Sequence, residues 1–202
     1  PIPGGTSGHG LGGVLAAVLL GPWSGVLVLT VVLAVQCFLF QDGGLTALGA
    51  NILNVGVIGS LVGYSIFALM RRMVGGHRGT VAGAVVAAWF SVMLGATACS
   101  IELAIGGLYK IGPTLGMMLL IHSSIGLGES LITGWAVAFV LRTRPDLVFG
   151  QASEAGVLAK SGQMLVAGLG IALVVAVLFS PFASKDPDGL DSVIARLGHN
   201  PE

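Results

Sequence analysis

Charge is what this sequence has least of: Asp, Glu, Lys and Arg make up 9% of its 202 residues, against about 25% in an ordinary soluble domain. A water-soluble globule is excluded. Nine Lys and Arg balance nine Asp and Glu, so the basic surface that nucleic acid binding requires is missing. Cysteine is scarce as well: Cys37 and Cys99 sit in apolar runs, form no Cys-x-x-Cys pair, and read as small inert hydrophobes. The chain opens on Pro1 without a Met and without the pattern of a signal peptide. Its natural N-terminus is expected upstream. Also lacking are a His-Glu-x-x-His pair, a Gly-Lys-Ser/Thr phosphate loop and a nucleophile elbow, which removes the familiar soluble-enzyme sites.

What is present is apolar and small. Hydrophobic residues reach 54%, mean hydropathy is +0.96, and 33 residues are glycine, the residue that lets membrane helices approach closely. These features predict an all-α, polytopic membrane helix bundle of about six helices. A span needs about 20 apolar residues, so the run from Leu11 to Phe40 must be divided, and Gly21-Pro22 divides it. The predicted helices are Gly8–Leu20, Trp23–Phe40, Leu45–Met70, Gly79–Ala104, Thr114–Leu141 and Met164–Phe179. Asn51, Asn54, Gly56, Gly59 and Gly63 predict an irregular or tightly packed start to the third. Gly79, Gly83 and Ala87 form a small-residue packing stripe on the fourth. The predicted domains are a membrane domain over 1–147, a polar linker over 148–163, and a single span with its tail over 164–202.

Lys and Arg in short loops set orientation. Arg71, Arg72 and Arg78, and then Arg142, Arg144 and Lys160, assign their loops to the cytoplasm. Alternation then puts the mouth of the first helix, with His9, and the tail from Ser180 to Glu202 on the outer side of the cell's inner (plasma) membrane.

The run Gly4-Gly5-Thr6-Ser7-Gly8-His9-Gly10-Leu11-Gly12-Gly13 enters the first helix. Thr6 or Ser7 offers a hydroxyl cap, and His9 stands beside it. Imidazole is the commonest metal ligand, but an interfacial histidine also serves as a hydrogen-bonded anchor; the residues alone leave both open. His122 and Glu129, seven apart, share roughly one helix face. A carboxylate in the membrane costs about 3 kcal/mol by insertion scales and faces a partner or a cavity. The pair reads either as a polar relay or coupling contact, or as a structural pair that orients helices. Glu102 reads as interfacial.

Several motifs in order resemble the CbiM/NikM family: Pro3-Gly4-Gly5-Thr6-Ser7-Gly8-His9, Leu20-Gly21-Pro22-Trp23, the stretch from Phe40 through Gln41-Asp42-Gly43-Gly44 to Asn51, and Ile125-Gly126-Leu127-Gly128-Glu129. These are substrate-capture membrane components of energy-coupling-factor transporters for nickel or cobalt. The tail Ser180-Pro181-Phe182-Ala183-Ser184-Lys185-Asp186-Pro187-Asp188-Gly189-Leu190-Asp191 is similar to the Pro-Asp-Gly-Leu-Glu segment of their small companion subunit, with Asp191 in place of Glu. The chain thus looks like a fusion of capture and companion subunits, as in the NikMN arrangement.

The resemblance implies a metal held by nitrogen atoms, from a histidine beside the N-terminus and from the histidine of the Gly-Thr-Ser-Gly-His motif, here His9. The family's Met-His-Ile start and first transmembrane helix have no counterpart here. Nickel or cobalt is then transported substrate, with Thr6 and Ser7 beside the site. The implied partners are a transmembrane coupling subunit, two cytoplasmic ATPase subunits and the lipid bilayer, without nucleic acid and without catalysis on this chain. The alternatives are a membrane-integral metal-dependent enzyme using His9, His122 and Glu129, and a non-transporting assembly or regulatory subunit.

Overall fold

A computed structural model describes residues 12–40, 44–150 and 193–195. Every element of the membrane domain is helical among these residues: α1 (Gly13–Leu20), α2 (Pro22–Phe40), α3 (Gly44–Asn51), a π-helical stretch (Ile52–Val62), α4 (Gly63–Val74), α5 (Gly76–Ile105) and α6 (Ile111–Thr143), followed by a 3-10 turn at Pro145–Leu147. α3, the π stretch and α4 run on as a single 31-residue helix. Among the described residues, this helix, α2, α5 and α6 are the four long and apolar enough to cross a membrane. The polytopic bundle expected from composition is present. The expected last span, Met164–Phe179, lies outside the described residues.

Small residues make the interior. Ala84, Ala87 and Ala88 of α5 are fully buried beside Val14 and Val18 of α1, Phe67 of α4 and Val137 of α6. In lipid no hydrophobic force holds helix to helix, so close backbone approach has to do it. A Cβ on Gly79 or Gly83 would stand 3.0 Å from the carbonyl oxygen of Arg71 or Phe67; the predicted stripe is the seam of α4 on α5. Large side chains face outward instead, as Leu27 and Val31 of α2 and Leu131 and Trp135 of α6 show.

Gly21 takes φ 94° and Pro22 opens α2, as the Gly-Pro division predicted. The helix before it is shorter than expected. α1 starts at Gly13, not near Gly8, and its cap is Gly12 at φ 65° with no side-chain cap bond. The hydroxyl cap expected from Thr6 or Ser7 falls on residues outside the described ones. Eight residues rise about 12 Å, well under half of a bilayer core of about 30 Å. At its other end the Val18 carbonyl accepts the Phe149 amide at 2.9 Å, so the chain leaving α6 folds back to close α1.

The irregularity expected around Asn54 is the π stretch itself. Its wider turns close at Gly63, whose amide reaches the Ile58 carbonyl five residues back. Runs of this kind are rare and concentrate at functional sites.

Candidate functional site

The start of α1 meets the π stretch and α6 at one level of the bundle. A Cβ on Gly13 would lie 3.0 Å from the Gly59 carbonyl carbon and 3.2 Å from the Val55 oxygen, so backbone rests on backbone. Ser60, fully buried, donates its hydroxyl to the Gly13 carbonyl at 3.4 Å. From the opposite side the Gly12 amide donates to Oε1 of Glu129 at 2.7 Å. Glu129 is 7% exposed and sits in the middle third of α6. Its carboxyl therefore satisfies an orphan helix-start N–H at membrane depth, where water cannot, and stands where the helix dipole favours an acid. The contact couples two segments that sequence reasoning had left separate.

His122 does something more local. Its Nδ1 lies 2.9 Å from the Met118 carbonyl on its own helix. A carbonyl only accepts, so Nδ1 carries the proton and, in the neutral ring, Nε2 carries the lone pair. At 1.5 Å per residue, His122 stands roughly 10 Å along α6 from Glu129.

A second polar link was not foreseen. Asn54, in the π stretch, donates Nδ2 to Oε2 of Glu102 on α5 at 2.9 Å. Its backbone oxygen abuts Gly95, where a Cβ would come within 3.2 Å. Glu102, read as interfacial, is half-buried and bonded. The Oδ1 of Asn54 is buried without a hydrogen-bond partner. The irregular, glycine-rich surroundings of Asn54 signalled a special position; its partner 48 residues away carried no sequence signal.

The tail touches the bundle at one described point. Val193 is fully buried against Ala96, Met118 and Ile121, in the half of α5 and α6 remote from Arg78 and Arg142. His9, Thr6, Ser7 and the Pro187–Asp191 segment lie outside the described residues.

Comparison with known proteins gives this arrangement a family. The model of the CbiM family, a cobalt uptake substrate-specific transmembrane region, matches residues 1–147, and that of the PDGLE domain matches residues 162–202. The putative fused nickel transport protein NikMN of Archaeoglobus fulgidus is 37% identical over 98% of this chain and 64% of its own length. The fused nickel transport protein NikMN of Rhodobacter capsulatus is 34% identical over 88% of this chain and 55% of its own. This chain thus spans less than two thirds of these fused relatives. The crystal structure of a truncated transition metal transporter superposes with a TM-score of 0.63 at 34% identity, covering 70% of this chain and 72% of that one. With a family model over its whole membrane domain and fused relatives along nearly all of its length, the chain belongs to the CbiM family.

Proposed function

We propose that this chain is the substrate-capture component of an energy-coupling-factor transporter, taking Ni(II) or Co(II) from the outer side and delivering it inward. Relatives named as nickel and cobalt transport proteins support the cargo. The observation that carries the reading is the bond from Gly12 to Glu129. It fixes the chain at mid-bundle three residues from His9, a covalent reach of at most roughly 11 Å. A histidine tethered that close to a buried carboxyl suits a captured cation far better than a surface anchor.

In this reading His9 is a metal ligand, with Thr6 and Ser7 around it. Glu129 is a positioning residue, holding at Gly12 the chain that carries the ligand. His122, on the same helix, lines the polar side of the path. All-nitrogen ligation of the family kind suits nickel and cobalt, since geometry and ligand type rather than raw affinity set selectivity. No chemistry is done on the ion; it is bound, carried and released. Power comes from two cytoplasmic ATPase subunits through a transmembrane coupling subunit. The inner membrane is the expected location, with the arginine-rich helix ends inside; Arg71 and Arg72 close α4, Arg78 opens α5 and Arg142 closes α6, where short loops were expected. Burial of Val193 at the end remote from those arginines supports a tail on the outer side.

The test is metal accumulation by cells that carry the full-length protein with its coupling partners. Accumulation should collapse on His9→Ala and persist on Thr143→Ala, a change at the exposed end of α6. Equal accumulation by the His9 variant and the parent would reject the assignment.

A further inference from the structure

At the arginine-rich end of the bundle, α5 and α6 together line a cavity of about 510 Å³ that has no part in the site above. Its rim is cationic: His77 and Arg78 from the first turn of α5, and Arg142 from the last turn of α6. Its walls are apolar, built by Val81, Ala82, Ala138 and Leu141, within one helical turn of the rim.

Among the described residues, no counter-charge stands at the rim. No acidic residue stands in the first turn of α5, and the ion pair at this end joins Arg144 to Asp146, two residues outside the cavity. Arg78 is also placed against its helix dipole, since a cation at a helix start is disfavoured and an anion there is favoured. An anion is therefore the missing component. The walls say what kind: a free phosphate or an acidic peptide has no use for apolar walls directly below a cationic rim on membrane helices, whereas a lipid needs both parts. Basic pockets between transmembrane helices on the cytoplasmic side hold anionic headgroups in this manner, and the volume falls within the usual range for a bound small molecule.

We propose that this cavity is a binding site for one anionic phospholipid, with its phosphate between Arg78 and Arg142 and an acyl chain along Val81, Ala138 and Leu141. The site would tie the cytoplasmic ends of α5 and α6 together through lipid, and make the bundle's firmness depend on membrane composition.

The experiment is titration of the purified full chain in detergent with phosphatidylglycerol and, separately, phosphatidylcholine, with bound lipid counted by native mass spectrometry. Phosphatidylglycerol should bind in preference. Arg78→Gln and Arg142→Gln should each weaken that binding roughly fivefold, and together roughly thirtyfold, the effect of losing one and two arginines near a lipid surface. Arg78→Lys with Arg142→Lys should retain most of the preference, which separates loss of charge from loss of fold, and Arg144→Gln should leave it intact. Inorganic phosphate at millimolar concentration should not displace the lipid. Equal binding of the two lipids, an undiminished preference in either single Gln variant, or displacement by inorganic phosphate would overturn the proposal.

Discussion

Gly12 and Glu129, 117 residues apart in sequence, are joined by a 2.7 Å hydrogen bond from backbone amide to carboxyl. The bond begins a short helix in the middle of the bundle. Removing the acceptor strands a buried N–H, at a cost of about 1–3 kcal/mol. Glu129→Ala should therefore lower metal retention by tenfold or more, while Glu129→Gln, which keeps an acceptor oxygen, should retain most of it. Metal bound per purified chain reads the difference. Equal loss in both variants would mean that the charge matters and the bond to Gly12 does not.

Asn54 and Glu102 make the second prediction. Asn54→Ala removes one bond to a carboxyl, worth about 1.5–3 kcal/mol, but also removes the buried, unpartnered Oδ1. Asn54→Asp keeps the shape and sets two carboxyls 2.9 Å apart, which forces a proton onto one of them or parts the helices. Thermal unfolding in detergent at pH 7 should rank the proteins parent, Ala, then Asp.

Backbone contact at Gly13 predicts a steep steric response. A methyl there meets the Gly59 carbonyl carbon at 3.0 Å, whereas one on Gly49 meets nothing within 4 Å. Gly13→Ala should cost about 1–3 kcal/mol, the usual price of overpacking, and Gly49→Ala should be neutral or stabilising by up to about 1 kcal/mol, as expected for a helix. Unfolding midpoints of the two variants, measured side by side, check this.

How much of this was legible beforehand depends on distance along the chain. Gly21-Pro22 announced its own break, because a proline without an N–H suits a helix start and little else. The glycines around Asn54 announced a distorted helix, and the stripe through Gly83 announced a seam. What escaped was tertiary: nothing near Glu129 says that it will meet Gly12, and nothing near Glu102 says that it will meet Asn54. The start of α1 escaped for a local reason. A glycine can open a helix by turning left-handed, and Gly12 does so at φ 65°, which the sequence does not distinguish from the other glycines of the run.

Outside the membrane, Arg144 and Asp146 provide a small pH-dependent contact. The hydrogen bond from the Arg144 side chain holds the Asp146 carboxyl below its ordinary value of 3.8. A depressed carboxylate stabilises the fold above its unfolded value, and that contribution fades as pH falls through the folded one. Both groups are exposed, so the effect is minor. Asp146→Asn should leave the unfolding midpoint nearly unchanged at pH 7, and the remaining difference from the parent should fade as pH falls below the ordinary carboxylate range.

The central claim is that the segment held by Glu129 delivers His9 to a transported metal ion. Equilibrium binding of nickel and cobalt to the purified full-length protein tests it most directly, with the parent compared against His9→Ala. The account predicts metal retained by the parent through extensive washing and lost from the variant, with the unfolding midpoint of the metal-free protein unchanged. Full retention of metal by a folded His9→Ala protein would contradict it.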